Sequence, residues 1–137
     1  MPGITDLDVL ISSMKPDLVD GGFAFCSVPA SALAGYLHLQ PVGLFQEKEG
    51  VTLIVPVHMA RQAGLPVEPA MRMITLNVHS SLEAVGLTAA FATALGNEGI
   101  SANVVAGYYH DHIFVPASDA ARAVAALEAL SASRRAP

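Results

Sequence analysis

The sequence predicts an α+β fold of two βαββα halves, each an antiparallel sheet with its helices on one face. Three observations lead there. The order strand–helix–strand–strand–helix can be read twice along the 137 residues, over about 22–64 and again over about 71–131. Within the second half, Arg72, Ile74, Leu76 and Val78 alternate with Met73, Thr75, Asn77 and His79. One face of that strand is apolar and the other mixed, the pattern of a sheet covered on one side. Ala84, Leu87, Phe91, Ala94 and Leu95 then recur at helical spacing, a stripe suited to cover it. The halves share the pattern and no evident sequence identity.

The elements follow in order. Thr5 and Asp8 have the spacing of a capping motif, with Thr5 as N-cap. Leu7, Leu10, Ile11 and Met14 continue as a helix that Pro16 stops. Gly21-Gly22 turns the chain into a strand over 23–28, with Phe23 and Phe25 on one face and Ala24, Cys26 and Val28 on the other. Residues 29–35 permit one short helix. Two strands over 42–47 and 51–56 join through Lys48-Glu49-Gly50, where Gly50 can supply a positive φ. A short helix over 58–63 closes at Gly64 and Pro66. Residues 65–70, with two prolines, read as a linker between an N-terminal half, 1–66, and a C-terminal domain, 71–131. Ser80 and Glu83 again have capping-box spacing, opening a helix over 83–98 that Gly99 stops. Strands over 102–108 and 112–115 then flank the polar reversal Tyr109-His110-Asp111-His112. Ser118 or Asp119 caps a last helix whose core face is Ala120, Val124, Leu127 and Leu130. A frayed tail is expected from Ser131, with 132–137 outside the domain.

Composition narrows the function. Charged residues make up 14% of the chain, against roughly 25% in an ordinary soluble domain. The hydrophobic fraction of 53% owes much to alanine, and no run approaches the ~18 apolar residues of a membrane span. Low charge with high apolar content predicts surface buried against another chain, hence a homo-oligomer. A net charge of −5 offers no electrostatic reason to bind nucleic acid or a membrane surface. No charged-then-apolar leader opens the chain, so a cytoplasmic protein is expected. Cys26, the lone cysteine, reads as a small buried hydrophobe. P-loop, dinucleotide and Ser-His-Asp patterns are absent, so neither a cofactor nor enzymatic chemistry is expected.

The strand order is that of a ferredoxin-like sandwich. The strand 74–79, the run Ser80-Ser81-Leu82-Glu83-Ala84-Val85-Gly86-Leu87 and the segment Gly99-Ile100-Ser101-Ala102-Asn103-Val104 together resemble an ACT domain, a small regulatory module that binds amino acids and related metabolites. The closest likeness is to small stand-alone bacterial ACT proteins, with a His-Ser-Ser-Leu run and a Tyr-Tyr-His-Asp-His hairpin. It covers 71–131 well and 22–64 loosely. The resemblance implies two ACT-like halves and a non-enzymatic regulator whose partner is a small molecule, an amino acid. Two features depart from the family. His79-Ser80 stands where the first strand usually ends in an acidic residue. Neither half shows a fourth strand after its second helix, so a strand is exchanged between the halves, or 71–79 or 23–28 completes the other sheet.

The ligand-binding residues implied are Ser80, Ser81, Val85, Gly86 and Leu87 in the loop, Asn103, Val104 and Tyr108 on the next strand, and His110 and Asp111 in the hairpin. Free N–H groups and the dipole at a helix start favour a carboxylate there, and Gly86 admits close approach to backbone. A plainer reading has Ser80 or Ser81 only capping the helix, Gly86 relieving packing, and Asn103 bonding nearby backbone. His110, Asp111 and His112, with His79, suggest a metal-dependent enzyme as the alternative function. Zinc sites take three or four ligands, and a polar hairpin with Asp111 in the turn explains the same residues. No stoichiometric metal is therefore expected. Tyr108 and Tyr109 alternate, so one is expected to pack and the other to face a groove or partner. His38 and His58 read as surface residues. A third reading is an oligomerisation module with no ligand.

Overall fold

The computed structural model describes residues 6–78 and 85–135. In chain order the elements are α1 (Leu7–Ser13), β1 (Pro16–Leu18), β2 (Phe23–Val28), a 3₁₀ helix (Ala30–Leu39), β3 (Gly43–Gln46), β4 (Val51–Pro56), α2 (Val57–Gln62), β5 (Met71–Leu76), α3 (Leu87–Asn97), β6 (Asn103–Ala106), β7 (Asp111–Pro116) and α4 (Ala120–Ser133). They form two compact units, Asp20–Met71 and the remainder of the chain on either side of it.

In the unit Asp20–Met71 the strands run β3-β4-β2. All six residues of β2 pair antiparallel with β4, from Phe23 opposite Pro56 to Val28 opposite Val51, and Met71 lies beside Phe23. The expected alternation holds. Ala24, Cys26 and Val28 are buried with Val51, Leu53, Val55, Leu39 and Ala60, while Phe25 on the other face is 42% exposed. The short helix expected over 29–35 is a ten-residue 3₁₀ helix, longer than such helices usually run. α2 ends in a Schellman motif. Gly64 takes φ 73°, its N–H bonds the Arg61 carbonyl at 3.1 Å and the Leu65 N–H bonds Ala60 at 2.9 Å. Leu65 and Val67 pack on the core, and the Cys26 thiol donates to the Pro66 carbonyl at 3.5 Å. The proline-rich stretch is therefore anchored to the unit and is not a free linker. Gly50 has the positive φ expected of it, 159°, and a Cβ there would also sit 2.9 Å from the Val28 carbonyl oxygen.

In the other unit the strands run β1-β5-β7-β6. Numbered from β5, this is the 4-1-3-2 order of a ferredoxin-like sandwich, with β1 in the fourth place. Pro16, Asp17 and Leu18 pair antiparallel with Leu76, Thr75 and Ile74. Bonds from the Val19 N–H to Met73 (2.9 Å) and from the Asn77 N–H to Lys15 (2.8 Å) extend the ladder. The strand missing after the last helix is thus supplied by residues ahead of β2. Pro16 does end the preceding helix, and it also opens this strand, where its missing N–H is tolerated.

The buried faces of β5 and β7, through Ile74, Leu76, Ile113 and Val115, pack with Leu10 and Ile11 of α1 and Met14 at its C-cap, Leu87, Phe91 and Leu95 of α3, and Ala123 and Leu127 of α4. The N-cap of α1 is Asp6 and not Thr5. The Asp6 carboxylate accepts from the Val9 N–H at 3.0 Å, the bond a good cap makes to the third helical residue. Thr5 lies outside the described residues, as does the capping box Ser80–Glu83. α3 starts at Leu87, later than expected, with Gly86 at its N-cap in the left-handed region, φ 94°. Its end is a second Schellman motif, with Gly99 at φ 71° and the Ile100 N–H on the Leu95 carbonyl at 3.0 Å. Asp119 stands at the N-cap of α4 and bonds Arg122 at 2.9 Å in place of a backbone N–H. α4 continues to Ser133, so the expected fraying at Ser131 does not occur. The Ser131 side chain is 1% exposed, within reach of the Ser12 carbonyl at 3.2 Å and the Met14 carbonyl at 3.1 Å.

Candidate functional site: the β5–α3 end of the ferredoxin-like unit

β5 ends at Leu76 and, after the segment 77–86, α3 begins. α3 runs back along the sheet, so β6 starts at the far end and returns. Its hairpin with β7 therefore closes at the end where α3 opens. His110 marks the junction, its Nδ1 lying 3.4 Å from the Val78 carbonyl oxygen. The reversal is Gly107–His110, two residues earlier than expected. The Gly107 N–H bonds the His110 carbonyl at 2.9 Å, and Asp111 is already in the ladder opposite Ala106. Asp111 is thus a strand residue and not the turn former. Gly107 makes the tight loop possible, because a Cβ there would meet the His110 carbonyl oxygen at 2.9 Å and His112 Nε2 at 3.2 Å.

One strand further in, His112 Nδ1 lies 2.9 Å from the Thr75 hydroxyl of β5. Burial lowers the His112 pKa, His110 lowers it further, and Asp111 works the other way. Burial raises the Asp111 pKa, with His112 and His110 opposing. The hairpin therefore favours a neutral imidazole at His112 and a carboxyl more easily protonated than a solvated one. Among the described residues no group of three His, Cys, Asp or Glu side chains is placed to hold a metal ion.

Tyr108 and Tyr109 are 68% and 63% exposed, so neither is the packed residue that alternation suggested. Sitting in the loop and not in a strand, they contact each other edge to face, with centroids 5.0 Å apart at 75°. Val85 is 83% exposed beside Gly86, whereas the Leu87 side chain is in the core and presents only backbone to this end. Gly86 faces α1, since a Cβ on it would lie 3.0 Å from Leu7 Cδ2. Val85, Gly86, Leu87, Tyr108, His110 and Asp111 thus share one end of the unit. Asn103 does not. It pairs with Phe114 at the opposite end of β6, and its side-chain amide donates to the Phe114 carbonyl at 3.3 Å, the backbone-bonding role weighed above. Val104, next to it, packs on the core. His79, Ser80 and Ser81 lie outside the described residues. Sequence reasoning missed Leu7, Thr75 and the Val78 carbonyl as neighbours of this end, because each comes from a distant element and no short motif joins them.

Residues 2–72 match one model of the ACT domain, and residues 69–129 match a second. The chain belongs to the ACT domain family. ACT domains are regulatory ligand-binding domains, and both matches are to such domains and not to a catalytic one. The sequence resemblance and the two ACT-like ferredoxin halves are thereby established together. A solved Vibrio cholerae protein of unknown function, described as a possible transport protein, is 52% identical over 91% of this chain and 95% of its own, with a TM-score of 0.83. An Agrobacterium tumefaciens protein shares the fold at 14% identity, covering 86% of this chain and 89% of its own, TM-score 0.69. The ligand-free regulatory subunit of aspartate kinase from Thermus thermophilus does so at 12% identity over 84% and 95%, TM-score 0.65. Among curated proteins nothing matches the chain. No helix among the described residues is long and apolar enough to cross a membrane.

Proposed function

We propose that this ACT protein is a non-catalytic, cytoplasmic regulator that binds a free amino acid at the β5–α3 end, with 71–131 as the binding half and 1–66 as a degenerate one. The observation that carries the reading is the glycine that opens α3. Gly86 has no side chain with which to cap the helix, so the first N–H groups of α3 can serve a ligand carboxylate, helped by the dipole. Asp111 and strand-end carbonyls at the same end are the acceptors for the ammonium group. Recognition leans on backbone, which implies modest affinity. Exposed apolar side chains on β3 and at the hairpin, including Phe45 at 71% and Tyr108, support assembly into a homo-oligomer.

A thermal-shift panel of amino acids at millimolar concentration, on ligand-free refolded protein, tests the reading. A ligand at about 100 times its Kd adds roughly 2.7 kcal/mol, and each kcal/mol raises Tm by roughly 2–8 °C. At least one amino acid is expected to give a shift of several degrees. Val85→Asp sets a carboxylate where the ligand's would bind. On so exposed a residue it is expected to abolish the shift without lowering the unliganded Tm. Gly86→Val is unsuited to the purpose, since the left-handed φ and Leu7 both oppose a side chain there. If no amino acid shifts the transition, the chain is an oligomerisation module without a ligand.

A further inference from the structure

β3 ends the strand order of its unit, paired with β4, and among the described residues no second strand bonds its outer side. Such an edge offers a row of N–H and C=O groups to another strand, and chains that stay apart blunt it with lysine, proline or inward-pointing charge. β3 has none of these, since it reads Gly43-Leu44-Phe45-Gln46. It is apolar on both faces. Leu44 pairs with Leu53, on the core face, and is 41% exposed, whereas Phe45 pairs with Thr52 on the other face and is 71% exposed. Val42, just ahead of the strand, is 48% exposed. The nearest charges along the chain lie in the reversal that follows, Glu47-Lys48-Glu49. β6, the edge strand of the other unit, is poorer in these features. Asn103 bonds the Phe114 carbonyl, Val104 packs on the core, and the large exposed hydrophobe among its four residues is Val105, at 40%.

We propose that β3 pairs antiparallel with β3 of a second copy about a twofold axis, so that the two sheets continue into each other. The pairing rests on the homo-oligomer reading of the chain and names the surface that joins the copies. A second copy fits because β3 complements itself. With the axis at Phe45, ring meets ring, Leu44 faces Gln46 of the copy, and Glu47 faces Gly43. Neither Glu47 nor Lys48 then meets its own counterpart. The strand itself is uncharged, so two chains of net charge −5 meet there without like charges opposed. Leu44 extends the core face across the junction and Phe45 the opposite face, and the contact is isologous, closing at two copies.

Cysteine cross-linking and sedimentation of the full chain test the proposal. Phe45→Cys is expected to form a covalent dimer on mild oxidation, since residues directly opposite in an antiparallel pair bring their Cβ atoms within reach of a disulfide. Wild type, whose Cys26 is buried, and Val105→Cys on β6 are expected to remain uncrosslinked. Leu44→Lys keeps the aromatic ring and adds the charge that guards an edge. It is expected to turn the wild-type dimer into a monomer with unchanged circular dichroism. A wild-type dimer that forms no cross-link through Phe45→Cys, that cross-links through Val105→Cys, or that Leu44→Lys leaves intact overturns the proposal. The homo-oligomer reading then stands, with the copies joined elsewhere. A wild type that sediments as a monomer at micromolar concentration overturns both, and leaves this edge to a strand of a different protein.

Discussion

Ser131 shows how one hydroxyl decides where the chain is ordered. It sits in α4 yet serves the last carbonyls of α1, more than a hundred residues earlier. Ser131→Ala leaves those buried acceptors short of a donor, so a loss of about 1–3 kcal/mol is expected in urea unfolding. An unchanged midpoint would mean that water replaces the hydroxyl. His112 makes a prediction about pH. Its folded pKa is held below the usual 6.5 by burial, so the unfolded chain binds the proton more readily. Its contribution is undiminished above 6.5 and is lost as pH falls through that value towards the folded pKa. Asp111, raised from 3.8, has the opposite sign, and its acid-side gain comes between 3.8 and its folded pKa. His112→Asn is therefore expected to flatten the stability difference between about pH 5 and about pH 7. An unaltered slope in paired urea titrations would contradict the assignment. Neither effect was legible in the sequence. The hydroxyl's acceptors and the imidazole's partner, Thr75, are set by tertiary packing and leave no local pattern.

At the scale of elements, strong periodicity was legible and short or borrowed pieces were not. The alternation in β5 and the stripe Leu87, Phe91, Leu95 placed the core correctly, all three of the latter being at most 3% exposed. Phe91→Ala is expected to cost about 3–5 kcal/mol, a large share of a typical stability of about 5–15 kcal/mol. A loss below about 1 kcal/mol would show that the helix packs elsewhere. β1 escaped notice because three residues carry no period, and Pro16 signalled only the end of a helix. Its place beside β5 makes it structural. A chain starting at Asp20 removes β1 together with Leu10, Ile11 and Met14 from one core. Such a chain is expected to lose the cooperative unfolding of that unit, read as amide exchange of β5 and β7. Retained protection would mean that the sheet closes without its fourth strand. The hairpin tip was misjudged by two residues, because the polarity of His110-Asp111-His112 suggested a turn, while Gly107 was the residue able to make one.

For the whole molecule, membership in the ACT family was readable from the run between Val78 and Val115, since its motifs survive as contiguous residues. Asn103 was carried along with them and lies at the far end of its strand, since register and not spacing decides which end a strand residue occupies. The homo-oligomer is tested by sedimentation at micromolar concentration. Wild type is expected to run as a dimer or larger, and Phe45→Glu to shift it towards monomer. A wild-type monomer would remove the assembly from the account. The central claim is that the chain holds an amino acid and leaves it unchanged. Native mass spectrometry of the gently purified full chain, before and after exposure to the amino acid panel, tests it most directly. The account predicts a retained or re-bound amino acid that is released intact. A protein that neither retains nor rebinds any amino acid, or that releases a chemically altered one, would contradict it.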